Sequence, residues 1–198
     1  RVAELTAAGA ISSAEAYYAL GVWNADAKNF DAAEKAFQQC LAIRPDWSWP
    51  HNALGILLGN HAQDRITEAE QEFRAAIRLD PQWSRPHNDL AILLRLDRRL
   101  NEAEQEASLA LRLDPRSVAT HNNYGNLLVA RSRLEQAESE YLMAISLDPS
   151  HPKPYYNLAC VYALRNKIDD TIPFLQKAFA LSPDLRQDAA KDPDFDSL

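Results

Sequence analysis

Glycine, cysteine and long apolar runs are all scarce in this 198-residue chain, and each scarcity excludes a class of function. Its five glycines form neither Gly-x-x-x-x-Gly-Lys nor Gly-x-Gly-x-x-Gly, so no loop is built to cradle phosphates. His-Glu-x-x-His and Gly-x-Ser-x-Gly do not occur either, which leaves no metalloprotease or serine-hydrolase constellation. The two cysteines, Cys40 and Cys160, stand 120 residues apart; that spacing argues against a disulfide framework or a zinc knuckle and for two small buried apolar side chains. The longest apolar runs, such as residues 53–59, stop well short of the roughly 20 residues a membrane span requires. Excess positive charge is lacking as well: 21 Lys plus Arg face 28 Asp plus Glu, and a formal charge of -7 gives no general pull toward phosphate backbones or anionic lipid. These absences lead to the expectation of a soluble, cytoplasmic, non-enzymatic protein with no metal, no cofactor, no membrane span and no nucleic-acid partner. The chain opens on Arg1 rather than Met, which raises the expectation of a piece of a longer protein.

What is present is regular. Of eleven prolines, Pro45, Pro81, Pro115, Pro149 and Pro183 share one context at spacings of 36, 34, 34 and 34. Each closes an apolar segment (CLAIRP, AIRLDP, ALRLDP, AISLDP, FALSP), where a helix ends because proline cannot extend it. Upstream, small residues recur at fixed offsets: Gly21, Gly55, Ala91, Gly125 and Ala159, then Ala33, Ala69, Ala103, Ala137 and Thr171. Two helices must approach closely at such positions. A mostly large series, Phe37, Phe73, Ala107, Tyr141 and Leu175, alternates with a small one, Cys40, Ala76, Ala110, Ala144 and Ala178, at the spacing of one amphipathic helical face.

A 34-residue helix-turn-helix unit with small residues at positions 8 and 20 and proline at 32 resembles the tetratricopeptide repeat. The resemblance covers residues 14–185 as five copies, 14–47, 48–83, 84–117, 118–151 and 152–185, the second longer by two residues near 61–65. It implies an all-α, right-handed α-solenoid of helix pairs, preceded by a flanking segment at 1–13 and followed by a C-terminal capping helix and tail in 186–198. A short helix is expected at 2–10, and Ser12 with Glu15 reads as a capping box.

The copies depart from the family pattern in places. The aromatic usual at position 4 is kept as Tyr17 and Tyr155 but replaced by His51, His87 and His121. Those three histidines recur one repeat apart, near 10 Å by helix packing, too far to share one ion, so a structural role is expected. In the fifth copy Thr171 replaces alanine, and capping by Asp169 or Asp170 would put Pro173 in or near the first turn. Trp47 and Trp83 recur at one register and are expected to pack between repeats, Trp23 against residues 2–10.

In the family, the first helix of each pair lines a concave face on which positions 2, 5, 9, 12 and 13 bear, and position 6 carries backbone-gripping asparagines in the family's O-linked N-acetylglucosamine transferase. Position 5 reads Tyr18, Asn52, Asn88, Asn122 and Tyr156; position 6 adds Asn123 and Asn157; position 9 adds Val22, Ile56, Ile92 and Asn126; position 2 adds Trp49, Arg85 and Lys153. An amide offers both a donor and an acceptor, so an asparagine ladder suits a peptide backbone of any sequence. The expected function is an interaction scaffold holding an extended peptide or partner helix on these residues. The alternative is a regulatory or substrate-docking segment of a larger multidomain enzyme. A chaperone-tail clamp of the kind some family members carry matches at only two of five positions, Asn123 and Lys153.

Overall fold

The proline stops and small-residue series translate into paired helices. In the computed structural model, which describes residues 13–61 and 65–195, the order is α1 (Ser13–Asp26), α2 (Phe30–Ile43), α3 (Ser48–His61), α4 (Ile66–Leu79), α5 (Ser84–Leu96), α6 (Leu100–Leu113), α7 (Val118–Ala130), α8 (Leu134–Leu147), α9 (Pro152–Leu164), α10 (Ile168–Leu181) and α11 (Leu185–Ala189), then a 3₁₀ turn at Pro193–Phe195. Among the described residues there is no strand, and the class is all-α. The expected helix at 2–10, its contact with Trp23 and the Ser12 capping box lie outside the described residues, as do 62–64 in the longer loop. The chain divides inside α5, between Leu93 and Leu94, into two compact units.

In the first unit α1 packs on α2 and α3 on α4, with α2 also against α3. The rings of Phe37 and Phe73 fill the two hairpins at 2% and 3% exposure, and each seats directly on a glycine. A Cβ added to Gly55 would stand 2.8 Å from the Phe73 ring, and one on Gly21 would come closer still to Phe37. Alternation of glycine and ring in the two series is therefore a packing rule: the large residue needs a bare backbone opposite.

The second unit repeats the rule with Gly125 under Tyr141, in a core shared with Leu128, Leu158, Val161 and Tyr162. Here α7 pairs with α8 and α9 with α10; α6 and α7 touch, as do α8 and α9. The hydroxyl of Tyr141 donates to Asn126 Oδ1 at 2.7 Å, which satisfies the one polar atom of a buried ring.

Within pairs, the turns close by one device. Lys28, Arg98, Ser132 and Asn166 all take φ near 60°. Beyond them the N–H groups of Asn29, Arg99, Arg133 and Lys167 reach back to the carbonyls of Asn24, Leu94, Leu128 and Tyr162 at 2.8–2.9 Å. This is the closure that glycine usually serves, carried here by four other residues. Between pairs, Asp80, Asp114 and Asp148 accept a hydrogen bond from the N–H two residues on, which fixes the bend before the next helix.

His51 and His121 do the work of the aromatic they replace. Tyr155 donates its hydroxyl to the carbonyl of Pro149 at 3.1 Å, and the Nε2 atoms of His51 and His121 sit 3.1 Å from the carbonyls of Pro45 and Pro115. Their Nδ1 atoms lie 2.6 Å from Glu72 and Glu140. Both ring nitrogens thus face acceptors, and only the imidazolium donates from both. Burial works against charge on His51, but the bonds to Glu72 and Pro45 outweigh it and hold the ring above the ordinary imidazole value. The Glu140 bond does the same for His121. His87 is buried at 3% exposure.

The fifth repeat starts differently from expectation. Lys167 stands at the N-cap position of its second helix without a side-chain bond, and Asp169 and Asp170 are acids of the first turn, where they favour the helix dipole without capping it. Pro173 is consequently the sixth helical residue, past the first turn, and the helix continues through it. The short α11 follows and touches α10.

Candidate functional site

Six of the expected binding residues meet in the first unit. Tyr18 and Val22 on α1, Trp49, Asn52 and Ile56 on α3, and Arg85 on α5 line one cavity of about 600 Å³, together with Asp26, Phe30, Phe37, Asn60 and Trp83 among others. Register explains the gathering: positions 2, 5 and 9 of consecutive first helices share one face at the i, i+3, i+7 spacing. The wall is aromatic. Tyr18 lies 5.0 Å from Trp47 and 6.3 Å from Trp49, and Trp49 lies 6.4 Å from Trp83. Trp49 is 51% exposed, a large apolar surface left facing solvent. Behind the lining, Arg44 stacks over Trp47 at 4.1 Å.

The polar groups are few and differ in burial. Asn52 is 3% exposed; its amide donates to Asp89 Oδ2 at 3.1 Å, while its Oδ1 is buried with no hydrogen-bond partner among the described residues. Burial pushes the Asp89 carboxyl above its ordinary range, against the opposing pull of Asn52, Arg85 and Asn88. Arg85 is 68% exposed and stands 3.9 Å from Asp89, a loose pairing. Asp26 contributes a carboxylate elsewhere in the lining.

Other expected residues are placed differently. Asn88 is buried and donates to the neighbouring Asp89 at 3.1 Å, and Ile92 is half-buried; neither lines the cavity. In the second unit, Asn122 is buried and its Oδ1 accepts from Asn157 at 2.8 Å, a lateral bond between consecutive first helices. Asn126 holds the Tyr141 hydroxyl, Asn123 is half-buried and Lys153 is exposed. Of these amides, Asn52 and the pair Asn122 and Asn157 link neighbouring repeats, while Asn88 and Asn126 bond within their own. Trp83, expected to pack between repeats, also lines the cavity, and its ring lies against that of Trp49.

Tyr156 is already engaged. Its hydroxyl donates to Asp192 at 2.7 Å, and the ring of Phe195 meets it edge-on, centroids 5.7 Å apart at 86°. The Cys160 thiol lies 3.8 Å from the same Asp192 carboxylate. Burial, then the charges of Asp192 and Asp194, hold the thiol well above its usual range; burial and Asp192 do the same for the Tyr156 hydroxyl. Cys160, Asp192 and Asp194 offer ligand atoms within 4.8 Å of one another, the one such trio among the described residues. Asp192 is also bound to the Asp194 N–H at 3.1 Å, so this carboxylate serves to fold the tail against α9.

No helix among the described residues is long and apolar enough to cross a membrane. The tetratricopeptide repeat family matches residues 14–47, 125–165 and 152–185. No curated protein matches. Among solved structures, the chain is similar to TTC0263, a thermophilic TPR protein of Thermus thermophilus, with 20% identity over 90% of this chain and 97% of that one at a TM-score of 0.79. It is also similar to PilF of Pseudomonas aeruginosa, 17% identical over 93% and 96% at 0.75. A third is YrrB, described as a TPR protein with an unusual peptide-binding site, 19% identical over 89% and 91% at 0.62. Matched by sequence near both ends and by backbone along most of its length, with glycine-seated rings and proline stops in register, the chain belongs to the tetratricopeptide repeat family.

Proposed function

We propose that this chain is an interaction module that binds an extended peptide, with the cavity of the first unit as the anchoring site. The observation that carries the reading is Trp49, half exposed over a cavity of about 600 Å³ whose walls are already built from Tyr18, Phe37 and Trp83. Covering such a surface stabilises a complex by roughly 25 cal/mol per Å² of apolar area, before the cost of ordering the ligand. The lining carries one carboxylate, one guanidinium and two amides, with no histidine, cysteine or serine, a set suited to holding a ligand rather than to attacking one. Likeness to YrrB, with its own peptide-binding site, supports the same reading. The buried Asn88 and Asn122 serve the fold, and the exposed Lys153 lies in the second unit.

The test is selection of peptides from a displayed random library on the full chain, followed by affinity measurement on variants. Peptides held at this site lose affinity about tenfold or more with Trp49→Ala and are unaffected by Gln39→Ala, an exposed change on α2. Selected peptides that bind Trp49→Ala as tightly as the parent place the site elsewhere.

A further inference from the structure

The second unit shows what a tyrosine at position 5 accepts. There the segment Asp192-Pro193-Asp194-Phe195 folds into a turn against α9. Its acid accepts a hydrogen bond from the Tyr156 hydroxyl at 2.7 Å, and its aromatic ring meets the Tyr156 ring edge-on. Acid and ring are recognised together by one side chain. The Asp192 carboxylate holds the spacing by accepting the Asp194 N–H at 3.1 Å.

Tyr18 occupies the same register in the first unit, where it borders the cavity instead. Its surroundings extend the recognition that Tyr156 makes alone. Trp49 and Trp83 supply ring faces for an aromatic side chain, which prefers edge-to-face or offset contact. Arg85, 68% exposed and only loosely paired, supplies a cation for an acid beside that ring. The buried Asn52 Oδ1, lacking a donor among the described residues, supplies an acceptor for a peptide N–H. Asp26, in the same lining, repels a carboxylate and so sets direction, turning the acidic end of a ligand toward Arg85.

We propose that the cavity of the first unit takes a short acidic peptide bearing one aromatic residue, of the Asp-Pro-Asp-Phe kind that this chain folds onto Tyr156, supplied by a partner protein. The aromatic side chain sits against Trp49 and Trp83, and the preceding acids face Arg85. This inference rests on the reading of the cavity as a peptide site and adds the chemistry of the peptide.

The test uses the full chain and the blocked peptide acetyl-Ala-Lys-Asp-Pro-Asp-Phe-amide, followed by calorimetry and tryptophan fluorescence. Binding is expected at one peptide per chain. Replacing the peptide's Phe with Ala weakens it about tenfold or more. Replacing both Asp with Asn weakens it about threefold at low salt and removes most of its salt dependence. Trp49→Ala mirrors the first change. Arg85→Gln, at an exposed position that leaves folding intact, cancels the second, so the charge effect disappears from a double-mutant cycle. A peptide that binds Trp49→Ala unchanged but loses affinity on Tyr156→Phe is exchanging with the tail in the fifth repeat, and the proposal fails. If this peptide does not bind while neutral library peptides bind in a Trp49-dependent way, the acidic motif is wrong and the peptide site stands. If no peptide depends on Trp49, both fail. A concentration-dependent dimer in sedimentation, lost with either Trp49→Ala or Phe195→Ala, would assign the cavity to a second copy's tail and overturn the separate partner.

Discussion

Tyr18 and Tyr156 hold one register position in the first and fifth repeats, yet one borders an open cavity and the other is covered by Phe195 and bonded to Asp192. The repeat explains why a tyrosine stands on that face in both places. What lies before it comes from residues the copies do not share: Trp49 and Arg85 at position 2 of later copies, and a tail that follows the last copy. In this chain the shared residues build the scaffold, and the unshared ones decide whether a surface stays available.

Four outcomes sharpen or break that comparison. The units share their core rule, so Phe37→Ala and Tyr141→Ala should each cost about 3–5 kcal/mol of stability in urea unfolding. A much smaller cost at either would mean that the ring on glycine is not a common element. The pair Gly125→Ala with Tyr141→Leu copies the residues at those positions in the fifth repeat and should cost less than Tyr141→Ala alone.

The units should part at the hydroxyls. Tyr156→Phe deletes the bond to Asp192 and should cost about 1–2 kcal/mol. Tyr18→Phe should stay within about 0.5 kcal/mol, since its ring contacts remain. Equal costs would erase the distinction between a covered face and an open one.

The third outcome is the pH dependence, which should be the same in both units. His51 and His121 are held above the unfolded imidazole value of about 6.5. Their stabilisation is therefore full below that pH and is lost as pH rises through the higher folded values. The loss should be on the order of 1 kcal/mol per histidine. Thermal melts between pH 6 and 8.5 should show this decline in the parent and not in the double variant His51→Tyr with His121→Tyr, in which tyrosine keeps the bond to the proline carbonyl as Tyr155 does. A decline that persists in the double variant assigns the effect to other groups.

The smallest effects belong to the turns. Lys28→Gly in the first unit relieves a left-handed backbone and should stabilise by about 0.5–1 kcal/mol. Asn166→Gly in the second should gain only a few tenths, because asparagine tolerates that conformation well. Denaturation midpoints that rank the two the other way would show that the lysine side chain contributes contacts of its own.

Much of the scaffold was legible because it depends on spacing. Proline ends a helix whatever surrounds it, and small residues 12 apart mark a close helix pair, so the five copies could be read from Pro45 to Pro183. The histidines were legible as replacements for the aromatic; their double bonding to a glutamate and a proline carbonyl was not, because Glu72 and Glu140 come from the other helix of the pair. Asp169 and Asp170 carry capping side chains, but turn closure at Asn166 placed the start of α10 at Ile168 and moved Pro173 past the first turn. The site was legible only as a face. An asparagine on that face can point outward or bond sideways, and the choice for Asn52 and Asn122 depended on whether Asp89 or Asn157 stood next to it. The docking of Asp192 on Tyr156 joins residues 36 apart outside the repeat period, where periodicity has nothing to say.

A ring seated on bare backbone also ties the histories of two positions together. If Gly125 changes first, the new methyl collides with Tyr141; if Tyr141 shrinks first, it leaves a void. The two routes are unequal, since a void can be narrowed by neighbouring side chains while a collision with a buried ring displaces a helix. A lineage passing from the glycine-and-ring arrangement toward the alanine and leucine of the fifth repeat should therefore lose the ring before it gains the methyl. Sequences caught midway should carry glycine opposite a medium-sized residue far more often than alanine opposite an aromatic one.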